Sequence, residues 1–284
     1  MHLFVDQFTN VDFSYLHPER GLVGETWLAS VLLEGALDYQ GMVCDFGMVK
    51  KTLRRWLDQT IDHSLLVAEA SSRVNFRTLE SNLTLEWKYG DNAGLNLNCS
   101  SPAQAVTLIN TDQITPESVA NWCIEQLRAL LPESIGQIQL KFAPEVIHHH
   151  FYHYSHGLKK HSGNCQRIAH GHRSTIEIFR DSQRDTDLER DWCTLWKDVY
   201  IGTREDLQDQ FTSGGVNYYR FGYKAQQGDF ELTLASDKCY LIDTDSTVES
   251  IAQHIVNHFK LKYPGNRFKV KAFEGIGKGA IAFA

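Results

Sequence analysis

The chain has 284 residues, room for one large domain or two ordinary ones, and is 42% hydrophobic and 22% charged. That is the balance of a folded globular protein rather than a disordered one. Lys+Arg 28 against Asp+Glu 35 gives a net charge of −7, which argues against broad nucleic-acid binding, since that requires a basic face. No apolar run is long enough to span a bilayer. The opening MHLFVDQFTN carries Asp6 where a signal peptide needs an apolar core. The six cysteines (Cys44, Cys99, Cys123, Cys165, Cys193, Cys239) are scattered without a CxxC pair. Neither a Cys-rich zinc module nor a disulfide scaffold is indicated, and a reducing cytoplasm is the expected compartment.

In chain order, residues 2–15 and 27–37 alternate as the arms of a long hairpin. A helix is expected from about Gly47 to Thr60, with Val49, Leu53, Trp56 and Leu57 on one face and Asp45 placed as its N-cap. Leu83–Tyr89 with Leu95–Cys99 read as a second hairpin. A helix carrying Val119, Trp122, Leu127, Leu130 and Leu131 follows, then a strand at Ile138–Phe142. The same series then recurs. Arms at 146–156 and 172–180 precede a helix at 187–200 with Trp192, Leu195, Trp196 and Val199 on one face. Next come a hairpin of Tyr218–Tyr223 with Phe230–Leu234, a helix with Ile251, Ile255 and Phe259, and a strand at Phe268–Phe273.

Residue identities support the repeat. Allowing one gap, Thr111/Thr244, Asp112/Asp245, Thr115/Thr247, Glu117/Glu249, Ser118/Ser250 and Ala120/Ala252 coincide. In both places a strand ends and a capped helix begins, with acid in the first turn to suit its dipole. The expected fold class is α+β, in two tandem copies at 1–145 and 146–284, each an antiparallel sheet with two helices on one face. The stretches 68–101 and 202–234 exceed what such a unit needs, and could reshape the mouth of a site.

Eight of the thirteen histidines fall between residues 148 and 172. His170 and His172 begin a strand-like run, where i and i+2 project to the same face, and His156 ends the arm that would lie opposite. Three imidazoles with an open fourth position describe a catalytic zinc site. Spacing alone leaves that reading and satisfied core histidines both open, and for His148, His149, His150, His153 and His161 the plain polar role is expected.

His156 followed by Asn-Cys165-Gln-Arg-Ile-Ala-His170-Gly-His172 resembles the zinc-and-cysteine segment of the 6-pyruvoyl-tetrahydropterin synthase family, which includes the 6-carboxytetrahydropterin synthases of the queuosine pathway. Further marks of that resemblance are Asp45-Phe46 opening a helix, Asp62-His63 after it, and Glu274 at the end of a late strand. The resemblance implies tunnelling-fold (T-fold) units, Zn2+ held by His156, His170 and His172, and Cys165 as general base. It also implies His63 exchanging protons under the orienting hand of Asp62, and Glu274 accepting hydrogen bonds from a pterin ring.

In that family the cysteine and the Asp-His pair meet across a subunit boundary, so a tandem chain can place one in each copy. The first copy has Val23-Gly24-Glu25 where HGH would stand, with His17 as a match for the first ligand. The second lacks an Asp-His pair after its helix. One composite site per chain is the expectation. Four residues separate Cys165 from His170, where the family pattern has three or five.

The implied activity is that of a lyase acting on 7,8-dihydroneopterin triphosphate, 6-carboxytetrahydropterin synthase-like. The alternatives are 6-pyruvoyl-tetrahydropterin formation, or pterin or purine binding without turnover. Lys159, Lys160, Arg167 and Arg173 could meet the triphosphate, although exposed loop charges are ordinarily just solvated. Neither nucleic acid nor membrane is an expected partner, and a homo-oligomer, dimer or tetramer, is.

Overall fold

Two long hairpins set the architecture of the protein, seen here in a computed structural model that describes residues 1–91 and 94–284. In chain order the N-terminal half runs β1 (His2–His17), β2 (Gly21–Gly35), α1 (Phe46–Thr60), β3 (Leu65–Ala68), β4 (Val74–Leu79), β5 (Asn82–Tyr89), β6 (Leu95–Pro102), β7 (Val106–Ile109), α2 (Pro116–Leu127) and β8 (Ile135–Pro144). The C-terminal half runs β9 (Phe151–His156), β10 (His170–Arg180), β11 (Gln183–Arg184), α3 (Thr186–Leu195), β12 (Val199–Thr203), β13 (Leu207–Ser213) and β14 (Val216–Ala225). It continues through β15 (Gly228–Ala235), β16 (Cys239–Ile242), α4 (Val248–Lys262), β17 (Phe268–Phe273) and β18 (Gly279–Phe283).

The first sheet has the order β7-β3-β1-β2-β8 and the second β16-β12-β9-β10-β17-β18, with β11 on β10. The architecture is the expected pair of α+β copies. Each hairpin and closing strand is antiparallel, and each sheet gains two short parallel strands on its other side (β3 and β7, β12 and β16). Helices α1 and α2 pack on the first sheet through Val49, Leu53, Leu57, Val119, Cys123 and Leu127. Helices α3 and α4 pack on the second through Leu188, Trp192, Ile251, Ile255 and Phe259. Asp45 caps α1, accepting from Met48 N at 3.0 Å. Thr115 and Thr247 cap α2 and α4 through Ser118 N and Ser250 N at 3.1 and 3.3 Å.

The helix expected over 187–200 is shorter. It stops at Leu195, and Asp198, at φ 56°, turns the chain into β12. Val199, Tyr200 and Ile201 are buried there, and so prefer a sheet position to one on a helix surface. Leu130 and Leu195, expected on apolar faces, are half exposed.

The two long stretches beyond a minimal unit combine with each other. Strands β4–β6 and β13–β15 form one six-stranded sheet in the order β13-β14-β15-β6-β5-β4. It is joined across the halves by Leu232↔Cys99 and its neighbours. Trp87, Leu97, Phe221 and Leu232 of this sheet bury against Leu65 and Val67 of one half and Ile168, Ala169 and Tyr200 of the other. Burial of this core ties the halves together. At the crossing of the two hairpins Ser14 Oγ meets Ser155 Oγ at 2.8 Å. A side chain on Gly24 would lie 1.9 Å from the Tyr154 carbonyl oxygen, and one on Gly171 would lie 2.6 Å from Gly24 Cα. Only glycine permits this approach. Among the described residues no helix is long and apolar enough to cross a membrane.

Candidate active site

The crossing of the hairpins brings the last turn of β9 and the start of β10 against the N-terminal half. His156 pairs with His170, and His172 with Tyr154. All three histidines are fully buried, with ring centroids 4.4 Å (His156–His170), 5.3 Å (His156–His172) and 5.6 Å (His170–His172) apart. His156 Nδ1 lies 3.0 Å from both the carbonyl oxygen and Oγ of Ser246 and donates there. His170 Nδ1 donates to the Arg167 carbonyl at 2.9 Å. His172 Nδ1 lies 3.2 Å from Oδ1 of Asp12, close enough for charge interaction but not aligned as a hydrogen bond.

These contacts leave Nε2 of His156 and His170 as lone pairs. His156 Nε2 faces His172 Nε2 at 3.2 Å, and His170 Nε2 is buried with no hydrogen-bond partner. Burial, reinforced by the neighbouring imidazoles, holds both His156 and His170 well below the usual histidine range. Neutral rings pinned at Nδ1, with unsatisfied Nε2 lone pairs, are the form in which histidine binds a metal. Among the described residues the donor atoms fall into two overlapping groups that could hold an ion, each within 4.8 Å throughout: His63, His170 and His172, and His156, His172 and Glu274. The set expected from the sequence is thus spread over both groups, with His172 common to them.

The Asp62-His63 pair of the N-terminal half stands beside this cluster. His63 lies 4.9 Å, centroid to centroid, from His170. Its Nδ1 is 2.5 Å from Asp62 Oδ2, and Asp62 Oδ1 accepts from the Asp12 amide at 2.8 Å. His63 adopts φ 54°, a left-handed conformation that a non-glycine residue keeps only where its surroundings enforce it. Here its own amide donates to the Asp12 carbonyl at 2.5 Å. Burial would depress the His63 pKa, but the hydrogen bond it donates to Asp62 and the neighbouring Cys165 outweigh it and raise it to about 10. Cys165, from the C-terminal half, therefore lies close enough to His63 of the N-terminal half to act on its charge. The composite arrangement forms within a single chain.

The loop that carries Cys165 is braced from both sides. Arg167 Nη1 donates to Ser64 Oγ at 2.7 Å, and Asn164 Nδ2 to the Asp58 carbonyl at 3.2 Å. From the six-stranded sheet, Tyr223 donates to the Gln166 carbonyl at 2.8 Å. Gln227, in the β14–β15 turn, bonds both Asn164 Oδ1 and Gln166 Oε1. The second of the two extra stretches thereby supports this loop. Gln227→Ala is expected to loosen this loop, raising amide hydrogen exchange over residues 163–168 about 10-fold. Unchanged exchange rates would show that the loop holds itself.

Glu274 ends β17. Its Oε1 lies 3.9 Å from His172 Nε2, and Lys278 Nζ lies 3.5 Å from Glu274 Oε2 and 3.5 Å from Asp12 Oδ2. Of the four basic residues weighed for triphosphate, Lys159 pairs with Glu205 and Asp206, and Lys160 with Asp245. Arg167 is buried against Ser64, and Arg173 donates to the Glu145 carbonyl and covers Phe151. All four are engaged within the chain. Sequence reasoning missed Asp12, Ser246 and Lys278. Asp12 alone left a signal, as a carboxylate between the apolar Val11 and Phe13 of a strand.

The counterpart of this site on the other side of the crossing has a different content. With Gly24 facing Gly171, Val23 stands for His170 and Glu25 for His172. The register places Tyr15 opposite Val23, while His17 pairs with Gly21. His17 is therefore not the match of His156; Tyr15 is, because strand pairing, and not histidine content, decides which side chain faces the crossing. Asp198, at φ 56°, makes the turn that His63 makes at φ 54°, and accepts from Arg20 Nε at 2.9 Å to form an ion pair between the halves.

Burial raises Glu25 from 4.5 to about 7. The unfolded chain loses this proton near its ordinary pKa while the folded one keeps it, so stability falls as pH rises from about 4.5 to about 7. Glu25→Gln is expected to raise stability at pH 8 by about 2 kcal/mol and have little effect at pH 4.5. Denaturant titrations at the two pH values check this, and equal effects at both would remove Glu25 as the cause.

No curated protein matches the chain significantly. Among solved structures, Plasmodium vivax 6-pyruvoyltetrahydropterin synthase, as a catalytic-residue mutant, is 17% identical. It covers 51% of this chain and 98% of its own, with TM-score 0.38. A second structure of the P. vivax synthase is 16% identical with the same coverage and TM-score 0.37. Plasmodium falciparum 6-pyruvoyl tetrahydropterin synthase is 16% identical, again with 51% and 98% coverage, and TM-score 0.35. The sequence model of 6-pyruvoyl tetrahydropterin synthase matches the chain twice, over residues 9–142 and 145–282. The chain belongs to the 6-pyruvoyl tetrahydropterin synthase family, as two tandem copies of its unit.

Proposed function

We propose that the chain is a zinc-dependent lyase acting on 7,8-dihydroneopterin triphosphate, forming 6-carboxytetrahydropterin, in the cytoplasm and on the queuosine route. The observation that carries this reading is the approach of Cys165 to His63 beside three fully buried histidines, of which His156 and His170 are held below the usual histidine range. The proposed division gives residues 1–145 the Asp62-His63 pair and residues 146–284 the metal ligands His156, His170 and His172, with Cys165 and Glu274. The orphaned Nε2 of His170 and the Nε2 pair of His156 and His172 fit a cation. When bound, zinc would acidify a side-chain hydroxyl of the substrate and offset negative charge growing on its oxygen.

The rest falls to the protein's own groups. Cys165 removes a carbon-bound proton of the substrate side chain as general base. His63, oriented by Asp62, exchanges protons with that thiol and with the substrate. Glu274 accepts hydrogen bonds from the pterin amino group and ring N–H, setting the ring in register. Ser246 stands behind His156 and fixes its ring by hydrogen bonding, while the Asp12 carboxylate lies against His172 as a charge partner. Strands β8 and β18 end their sheets, and pairing of these edges with further copies would produce a dimer or tetramer.

The test is incubation with dihydroneopterin triphosphate, with zinc by elemental analysis and product by mass spectrometry. Loss of triphosphate together with a two-carbon aldehyde is the expected result. A product that keeps its full side chain means 6-pyruvoyl-tetrahydropterin formation. Ligand binding by a metal-free protein without turnover would leave only a binding role.

A further inference from the structure

We propose that Glu274 is a ligand of the ion in the substrate-free protein, closing the site with a carboxylate rather than leaving its last position to water. This rests on the zinc reading above. Ligand atoms bound to one zinc ion lie roughly 3.3–4.2 Å apart, given bonds near 2.0–2.1 Å. Glu274 Oε1 is 3.9 Å from His172 Nε2, and its group with His156 and His172 is compact to within 4.8 Å.

The carboxylate is held in this place. The Glu274 amide donates to the Lys278 carbonyl at 3.0 Å, closing a turn in which Gly275 takes φ 68°. Gly275 N donates to Ser174 Oγ at 3.0 Å, and a side chain there would strike Asp12 Oδ1 at 2.5 Å. Lys278 Nζ, 3.5 Å from Oε2, draws one oxygen outward and leaves Oε1 on the histidine side. The rival for the position, His63, groups with His170 and His172, but its Nδ1 is already engaged by Asp62.

A carboxylate that ligates through one oxygen cannot also offer both oxygens to the paired N–H donors of a pterin. Ligation and ring anchoring therefore exclude each other, and a bound ring must displace Glu274 from the ion.

Zinc affinity of the full chain, measured by equilibrium competition with a chromophoric chelator, tests this, together with the visible spectrum of the Co(II)-loaded protein. Glu274→Gln and Glu274→Ala are each expected to bind zinc at least about 10-fold more weakly, with an altered Co(II) spectrum. His63→Ala should change neither. Wild-type affinity and spectrum in both Glu274 variants would overturn the inference while leaving the zinc reading intact. Weakened zinc binding in His63→Ala but in neither Glu274 variant would overturn it in favour of His63. A wild-type protein that binds no zinc would defeat the zinc reading itself.

Discussion

Cys165→Ala is expected to lower kcat about 10³-fold, within the range that a general base supplies, and to leave one zinc per chain. The thiol reaches His63 but belongs to neither group of donor atoms that could hold an ion, so its loss should remove proton transfer without loosening the histidines. Single-turnover kinetics with elemental analysis check both halves of the statement. Turnover at the wild-type rate would take the cysteine out of the chemistry, and loss of zinc would make it a ligand. Cys165→Ser provides a finer reading. A hydroxyl of nearly the same size keeps the loop packed, so any remaining deficit reports the loss of an easily ionised group rather than a void.

His170→Ala should have the second large effect: zinc affinity down by more than about 100-fold and activity lost with it. Losing even an outer partner of a ligand typically weakens binding 10–100-fold, and His170 presents its Nε2 directly and without any other partner. The fold should survive. His170 pairs with His156 through backbone at the start of β10, and the cores of both halves are built from other residues. A thermal melt of the metal-free variant close to that of metal-free wild type, with zinc absent, is the expected pair of results. Zinc retained at full affinity would mean that His63 or Glu274, and not His170, completes the set with His156 and His172.

Much of this site was legible as residue types at short spacing. His170 and His172 share a face because a strand alternates, and His156 pairs with His170 because a hairpin brings its ends together. The separation of Asp62-His63 from Cys165 between the copies also announced a composite arrangement, and the chain folds so that the two meet. Asp12, Ser246 and Lys278 could not be read in the same way. Each touches the site from a loop or strand whose place depends on distant pairing, and none carries a motif. His17 shows the opposite failure: a suggestive residue at nearly the right place, displaced two positions along the strand from the one that faces the crossing.

By itself the sequence determined the two tandem copies, the capped helices at Thr115 and Thr247, the apolar faces that bury them, and the supply of histidine, cysteine and carboxylate. These depend on local periodicity and capping, which neighbours in the chain decide. Tertiary structure alone decided that the two long extra stretches form one shared sheet. It also decided that the β14–β15 turn supports the cysteine loop, and that Tyr15 rather than His17 stands opposite Val23 at the hairpin crossing. Contacts such as Leu232↔Cys99 and Gly24 against Gly171 join residues more than a hundred positions apart. Register across such a gap follows from which surfaces bury best together, and no pattern within either segment records it.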